Sequence, residues 1–317
     1  MIDWDLRRLH LLRELSVRGT LSRVAEAMHQ SPSSVSQQLA QLEREAGVPL
    51  LRKAGRGVQL TAAAHVLVEH ADAIFSRLER AEADLTALRD EVAGTVRVAV
   101  FQSVALAFMP QALAELAARH PRLRTTMTQR VPEQALHELS LREFDLVVAE
   151  QYPDHAAPRY DGLDRVPLTA DRLRLAVPPA WTHVNSLADA AGVPWAMEPV
   201  TAASRHWISQ QCRRAGFEPE VRYETDDVEA HVALVESGNA VALLSDLMRV
   251  RHRPHSPSGS LPPGRSSGIR LVELPGSPRR QVFTSARAPL ATAPTIQAWR
   301  AVLSAVVPAQ LDLENPA

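Results

Sequence analysis

The sequence lacks several features that would assign it to a class at once. It contains one cysteine, Cys212, which excludes an internal disulfide and any metal site built from clustered cysteines. No apolar run approaches the ~18 residues that a membrane helix needs. The start, MIDWDLRRLH, carries acids where a secretory signal has an apolar stretch. We therefore expect a cytoplasmic protein with no membrane partner.

Lysine and the common catalytic signatures are also scarce. Lys53 is the only lysine among 35 basic residues, so the presence of an arginine at any one position says little by itself. We find no phosphate-binding Gly-rich loop ending in Lys-Ser or Lys-Thr, no His-Glu-x-x-His helix and no strand-linked Gly-x-Gly-x-x-Gly. The sequence predicts that the protein is not an enzyme and uses no metal and no cofactor.

Charge is distributed unevenly along the 317 residues, although the formal net charge is only −1. Residues 1–61 hold nine basic and six acidic side chains, a balance of +3, which leaves −4 for the remainder. This asymmetry is expected if the N-terminal end contacts the phosphates of DNA. The length and the 45% hydrophobic content allow two or three globular domains.

The segment 21–46 predicts two helices separated by a short polar turn. Ser31 is suited to cap the second helix, and Pro32 to lie in its first turn. Its apolar residues share one narrow side: Val35, Leu39, Leu42 and Ala46. Its polar, small or amide-bearing residues share the other: Ser33, Ser34, Gln37, Ala40, Gln41 and Arg44. An ordinary amphipathic surface helix has the same pattern, but the preceding helix and turn favour a helix-turn-helix that reads base edges.

The flanking segments extend this unit. Leucines spaced by three predict an earlier helix over 5–17, which ends near Gly19. After Gly47, the stretch 50–60 has two apolar ends and a basic, Gly-rich tip, which predicts a β-hairpin. Lys53 and Arg56 at this tip are candidates for contacts with phosphate, and a solvated surface turn remains an equal alternative for each.

A long helix is predicted over 62–93, behind a cap at Thr61. Its apolar residues step alternately by three and four: Ala64, Leu67, Ala71, Ile74, Leu78, Ala81, Leu85, Leu88 and Val92. Such a heptad seam indicates a helix of roughly 45 Å that pairs with another helix. Pairing within the chain remains open, but the position next to a DNA-reading unit favours a dimer, with two reading heads on two half-sites. The expected dimerisation residues are Leu67, Ile74, Leu78, Leu85 and Leu88.

From Gly94 the apolar period changes from helical to alternating. Strands and helices then alternate twice, which predicts two small α/β units with parallel strands, over about 94–165 plus 275–307 and about 166–274. The Pro-, Ser- and Gly-rich stretch 251–268 predicts a flexible insertion. His252 and His255 lie in it, and a solvated loop is favoured over a metal site because no acid or cysteine is nearby.

These residues carry a family resemblance. The run GTLSRVAEAMHQSPSSVSQQLAQLEREAGVPLLRKAGRGVQLT at 19–61 resembles the winged helix-turn-helix of LysR-type transcriptional regulators, and FDLVVAE at 144–150 and LVESGNAVALLSDLM at 234–248 resemble segments of their effector domain. The resemblance implies a multi-domain chain: 1–61 winged helix-turn-helix, 62–93 linker helix that dimerises, and 94–317 α/β periplasmic-binding-protein-like effector-binding domain of two subdomains. The chain departs from the family pattern at Leu51, Ala64 and Ser245.

The resemblance also implies a function and its residues. We expect a sequence-specific regulator that binds double-stranded DNA as a homodimer or homotetramer, contacts RNA polymerase, and responds to a small-molecule effector. The resemblance places Ser33, Ser34, Gln37 and Gln41 in the major groove and Arg56 in the wing; we add Arg44 and Lys53. The expected effector residues are Ser103, Thr128, Gln129, Glu150, Thr201 and Thr225, with an ordinary N-cap as the alternative for Ser103. Effector charge is left open.

The order of the predicted elements also allows a different class of protein. A solute-binding or redox-sensing α/β protein with an N-terminal interaction module fits the same order of elements. Redox sensing would depend on Cys212, which is more often a small buried apolar residue than a reactive thiol.

Overall fold

The computed structural model describes residues 4–55, 57–88, 92–249 and 268–311. The chain divides into two compact units, Met1–Leu85 and Thr86–Ala317. In the described part of the chain, no helix is long and apolar enough to cross a membrane. The stretch 251–267, with His252 and His255, lies outside the described residues, and so does Arg56.

Within its described residues, the first unit has four helices and a two-stranded hairpin. In chain order these are α1 (Leu6–Arg18), α2 (Leu21–Ala27), α3 (Pro32–Ala46), β1 (Leu51–Ala54), β2 (Gly57–Leu60) and α4 (Ala62–Ala87). The two strands pair antiparallel, with Leu51 opposite Leu60. This is the predicted winged helix-turn-helix followed by the linker helix.

The boundaries of α3 follow from the predicted capping residues. The hydroxyl oxygen of Ser31 accepts a hydrogen bond from the backbone N–H of Ser34 (3.1 Å), and Pro32 lies in the first turn, where no intrahelical N–H bond is lost. The helix ends at Gly47, whose φ of +69° lies in the left-handed region that glycine adopts without steric cost. The sequence prediction for both ends is confirmed.

One hydrophobic core holds this unit together. Val35, Leu39 and Leu42 are fully buried in it, whereas Ala46 packs at its edge. The carboxylate of Glu43 accepts hydrogen bonds from the backbone N–H groups of Leu50 (2.9 Å) and Leu51. Helix α3 is therefore fixed both to the core and to the start of the hairpin.

Helix α4 is shorter than the sequence predicts. Its 26 residues end at Ala87, which gives a length of about 39 Å, and the predicted continuation to residue 93 is wrong because 92 and 93 are not helical. The chain must leave the helix there, since the first strand of the second unit begins at Gly94. Thr61 caps the start as predicted, because its hydroxyl oxygen accepts from the N–H of Ala64 (3.2 Å).

The second unit alternates strands and helices. Its strands are β3 (Gly94–Val100), β4 (Leu123–Gln129), β5 (Leu146–Gln151), β6 (Val166–Val177), β7 (Pro194–Met197), β8 (Glu220–Glu224), β9 (Val241–Ser245), β10 (Arg270–Glu273) and β11 (Arg279–Ala286). Its helices are α5 (Gln102–Ala107), α6 (Met109–Arg119), α7 (Pro132–Ser140), α8 (Ala203–Arg214), α9 (Val228–Glu236), α10 (Asp246–Arg249) and α11 (Pro294–Leu311). Single 3₁₀ turns lie at Ala188–Ala190 and Ala288–Leu290.

Two parallel groups of strands form the predicted pair of α/β subdomains. In one, β3 lies between β4 and β5; in the other, β7 lies between β8 and β9. The antiparallel strands β11 and β6 connect the groups in the order β4-β3-β5-β11-β6-β9-β7-β8, and β10 pairs with β6. The register sets Arg280 of β11 opposite Asp171 of β6, at the junction of the two groups.

Two local features differ from the sequence prediction. The sequence over 104–119 predicts a single helix, but the structure has two helices, α5 and α6, which meet at Phe108. Pro110 lies in the first turn of α6 and cannot donate a helical hydrogen bond. Strand β7 was not predicted, because four residues that begin with proline show no alternation. It forms because Trp195, Ala196 and Met197 are buried between β8 and β9.

Candidate functional site

The outer face of α3 presents the predicted DNA-reading residues. Ser33, Gln37 and Arg44 are exposed, and Ser34 and Gln41 are half-buried. The side chain of Gln37 makes no hydrogen bond to another described residue, whereas Gln41 is engaged at both ends of its amide. Its nitrogen donates to Glu45 (2.9 Å), and its oxygen accepts from the guanidinium Nε of Arg44 (3.1 Å).

The turn before α3 supports this face. Gln38, which the sequence analysis did not single out, donates from its amide nitrogen to the side-chain oxygen of Gln30 (2.8 Å), and Ser34 donates to the same oxygen (3.4 Å). His29 adopts a φ of +51° in the turn, which orients the two helices. Lys53 is exposed on the hairpin, and Arg56 lies outside the described residues.

The predicted dimerisation residues of α4 separate into two groups. Leu67 is buried in the core of its own unit, together with Ala64 and Ala71, so it exposes little surface to a second copy. Ile74 and Leu78 are exposed, as is Leu85. Leu88 is exposed but lies just beyond the end of the helix, so it is not a helical seam position.

The second unit contains two adjoining cavities, which lie at its strand ends and helix starts. The larger has a volume of about 240 Å³ and is lined by residues from both strand groups, including Ser103, Gln129, Glu150, Glu198 and Arg280. The smaller, of about 180 Å³, shares Glu150 and Glu198 and includes Thr201. Neither cavity is lined by Thr128 or Thr225. Four of the six predicted effector residues therefore line a cavity.

Thr128 and Thr225 have other surroundings. Thr128 lies in β4 one residue before Gln129, and successive side chains of a strand point to opposite faces. The hydroxyl oxygen of Thr225 accepts from the backbone N–H of Asp227 (3.1 Å) in the turn before α9. This is a local turn contact.

Arg280, which the sequence analysis missed, is the most connected side chain at the larger cavity. It is 1% exposed. Its Nη1 donates to Glu150 (2.5 Å), its Nε donates to Asp171 (2.8 Å), and its Nη2 donates to the hydroxyls of Ser103 (2.8 Å) and Ser245 (2.7 Å). Ser103 is not the N-cap of α5, which is Phe101; it is a buried acceptor for this arginine.

The charges around Arg280 shift one another's ionisation. Burial raises the pKa of Glu150 to about 7, although the positive charge of Arg280 opposes this, and the charge of Glu198 adds to it. Burial works to lower the pKa of Arg280, but the carboxylates of Glu150 and Asp171 outweigh it and raise that pKa. The Glu150 shift therefore follows mainly from burial, and the Arg280 shift from the carboxylates that surround it.

A second contact connects the two strand groups beside the larger cavity. The amide nitrogen of Gln102 donates to Asp227 (2.8 Å), and its amide oxygen accepts from the backbone N–H of Val228 (2.9 Å). Gln102 begins α5 and Val228 begins α9, so this single side chain joins the two subdomains. Together with Arg280, it forms a set of side-chain contacts between the two subdomains at the larger cavity.

A helix-turn-helix unit and an α/β unit with a cavity of ligand size define a ligand-responsive DNA-binding protein. Residues 6–65 match the bacterial regulatory helix-turn-helix protein, lysR family, and residues 89–307 match the LysR substrate binding domain. The chain belongs to the LysR family of transcriptional regulators, which combine a DNA-binding helix-turn-helix with an effector-binding domain. The fold and function predicted from the sequence are confirmed at this level.

Several characterised proteins are similar over most of the chain. The hydrogen peroxide-inducible genes activator of Pectobacterium carotovorum subsp. carotovorum is 25% identical over 87% of this chain and 92% of its own length. The transcriptional dual regulator GltC of Bacillus subtilis (strain 168) is 24% identical over 76% and 81%. A full-length OxyR variant from Pseudomonas aeruginosa has the same fold, with a TM-score of 0.66, 18% identity and 95% of both chains covered.

Proposed function

We propose that this regulator binds an operator with two half-sites as a homodimer or homotetramer, acts by binding without catalysis, and contacts RNA polymerase at its promoters in the cytoplasm. Helix α3 enters the major groove in this proposal. The base-reading residues are Ser33, Ser34, Gln37 and Gln41. The phosphate contacts come from Arg44, Lys53 and Arg56.

The proposal rests on the side-chain amide of Gln37, which is exposed and makes no hydrogen bond to another described residue. A glutamine amide can accept and donate at the same time, and this pairs it with the N6 and N7 atoms of adenine in the major groove. Neighbouring polar groups on α3 are engaged with one another, so they require rearrangement before they contact a base. Gln37 requires none.

The proposed effector site is the larger cavity, with Ser103, Gln129 and Glu150 as its predicted residues and Thr201 in the adjoining one. A ligand there touches elements of both strand groups. It therefore has a different affinity for each relative position of the subdomains, which is the condition for shifting a conformational equilibrium. A second copy is proposed to pair along the exposed half of α4, through Ile74, Leu78 and Leu85.

The Gln37→Ala variant tests the DNA-reading role. Genomic footprinting with the purified protein first identifies an operator; binding is then measured on that operator and on a scrambled duplex at one salt concentration. We expect operator binding to weaken by about 1–3 kcal/mol with little change on scrambled DNA, because a base contact is lost while phosphate contacts remain.

The matched control is Gln38→Ala, which removes the neighbouring glutamine whose amide contacts Gln30 within the motif. This variant is expected to reduce binding to both duplexes to a similar extent, with a lower melting temperature. If Gln37→Ala also weakens binding to both duplexes equally, Gln37 does not contact a base, and the proposed assignment of base-reading and phosphate-contacting residues is wrong.

Thiol-based redox sensing is a second candidate, because one relative is named for hydrogen peroxide. Cys212 is the only cysteine of the chain, and it is fully buried in the core around Trp207. Burial, with a contribution from the charge of Glu218, raises the pKa of its thiol to about 12. Oxidants react with the accessible thiolate, so these surroundings favour effector binding over Cys212 oxidation as the signal.

A further inference from the structure

The described lining of the two adjoining cavities has an excess of acidic side chains. The smaller cavity has four carboxylates and no basic side chain among its described residues: Glu133, Glu150, Glu198 and Asp226. The larger cavity shares three of these and has two arginines, Arg130 and Arg280. The chemical class of the effector depends on whether those arginines are available to it.

Both arginines already bind carboxylates of the chain. Arg280 is 1% exposed and donates to Glu150 and Asp171, as described above. The Nε of Arg130 donates to Glu138 (3.1 Å), and its Nη1 donates to the backbone carbonyl of Gln129 (3.0 Å). An anionic ligand would have to displace the partners of Arg280, and a displaced Glu150 or Asp171 would stay close to the ligand's own negative charge.

Two of the helix starts beside the cavities, positions that usually attract anions, have an acid of the chain close to them. Helix α8 has no side-chain hydrogen bond at its N-cap, Ala202, but the carboxylate of Glu198 accepts from the hydroxyl of Ser204 in its first turn. At the start of α9, the carboxylate of Asp227 accepts from the backbone N–H of Glu229 (2.9 Å). At these two helix starts, a ligand carboxylate would meet a carboxylate of the chain.

We propose that the effector carries a cationic group, an amine, amidine or guanidinium, that binds beside Glu150 and Glu198 in the larger cavity. This inference rests on the proposed function of that cavity as the effector site. The cation pairs with the excess negative charge and competes with Arg280 for Glu150. The larger cavity, of about 240 Å³, has room for a small molecule.

Isothermal titration of the full-length protein with small charged probes tests this assignment. The cationic probes are putrescine and agmatine; succinate is the anionic probe and butanediol the neutral one. We expect the cationic probes to bind and the other two not to. Glu198→Gln is expected to weaken cation binding by about tenfold or more, because one charge-assisted contact is lost.

Glu236→Gln is the matched control, since Glu236 is exposed at the opposite end of α9 from the cavity. It should bind the cationic probes as the wild type does. Absence of binding by every cationic probe, tighter binding of succinate, or an unchanged affinity in Glu198→Gln would each overturn the proposal.

Measurements of operator binding distinguish an error in the charge class of the effector from an error in the proposed function. If succinate but neither cationic probe alters operator binding, the charge class is wrong and a ligand-responsive regulator remains. If Gln37→Ala leaves operator discrimination unchanged while the cationic probes bind as expected, the DNA-reading assignment is wrong and the cationic class remains.

Discussion

Glu14 on α1 is a buried carboxylate surrounded by basic groups. Arg18 donates to it from Nε (2.7 Å), Arg13 donates from Nη1 (2.8 Å), and His10 lies 3.5 Å away. Arg13 also donates to Asp72 of α4 (2.6 Å), so the cluster connects the first helix to the linker helix. Burial works to raise the pKa of Glu14, but the hydrogen bonds from His10 and Arg18 and the charge of Arg13 lower it to about 2.

The lowered pKa makes Glu14 a stabilising group whose contribution depends on pH. A carboxyl with a depressed folded-state pKa stabilises the fold above its unfolded value of 4.5, and the contribution is lost as pH falls towards about 2. Glu14→Gln is therefore expected to cost about 2–3 kcal/mol of unfolding free energy near neutral pH and much less near about pH 3. Urea unfolding of the first unit at the two pH values measures this.

Glu26→Gln, at an exposed position of α2, is the matched control, and it should change stability by less than about half a kcal/mol at either pH. A cost for Glu14→Gln that is the same at both pH values would show that the lost packing, rather than the charge, accounts for the effect.

Helix α4 has two different roles along its length. Its first three turns bury Ala64, Leu67 and Ala71 against the helix-turn-helix, whereas Ile74 and Leu78 face outward beside His70 and Arg77. The heptad pattern is continuous across both halves, because a helix face that packs within a domain and one that packs on another copy require the same spacing. The spacing alone therefore predicted one continuous dimerisation seam. The helix instead has one surface that packs within its own unit and a second surface that is exposed.

Charged substitutions distinguish the two surfaces. Ile74→Glu combined with Leu78→Glu is expected to give monomers with weak operator binding and an unchanged melting temperature of the first unit, because both side chains are exposed. Analytical ultracentrifugation measures the oligomeric state. Arg80→Glu places the same charge on the opposite, exposed side of the helix and should leave the oligomer intact.

Leu67→Ala is the contrasting change in the buried half. It is expected to cost about 2–5 kcal/mol of stability as a core truncation without directly breaking the oligomer. A double Glu variant that still sediments as a dimer would show that the exposed half of α4 is not the subunit contact.

Elements with a strong apolar periodicity could be predicted from the sequence. Elements that form because of the strands packed beside them could not. Helix α3 carries its own capping residues and an apolar stripe, so its two ends follow from local sequence. Strand β7 has four residues and is buried because it lies between β8 and β9. The local sequence contains no pattern that indicates this pairing. The break at Phe108 was available in the sequence, since Pro110 marks a helix start.

At the scale of the whole molecule, the cavity was predictable only in part. Ser103 follows the end of β3 and Glu150 lies next to the last residue of β5, and topology brings strand ends together, so both were found. Arg280 is the second residue of β11, more than a hundred residues further along the chain, and it resembles every other arginine of an arginine-rich chain. Its role depends on the register of β11 with β6, which places it opposite Asp171 at the junction of the subdomains.

Removal of Arg280 should therefore destabilise the junction of the two subdomains. Arg280→Met leaves the fully buried Asp171 without its charged partner, and we expect a loss of about 3–5 kcal/mol, because an unpaired buried charge costs more than the lost contacts. Urea unfolding of the second unit, followed by the fluorescence of its buried tryptophans, measures the change.

A double-mutant cycle identifies the cause of that loss. Asp171→Asn removes the buried charge, so Arg280→Met should cost less in the Asp171→Asn background than in the wild type, with a coupling of about 1–3 kcal/mol. Arg279→Met, at the neighbouring exposed position of β11, is the control and should be nearly neutral. Additive costs would mean that Arg280 stabilises the unit through its other contacts, with Ser103, Ser245 and Glu150, and that the bond between β11 and β6 is not the one that holds the subdomains together.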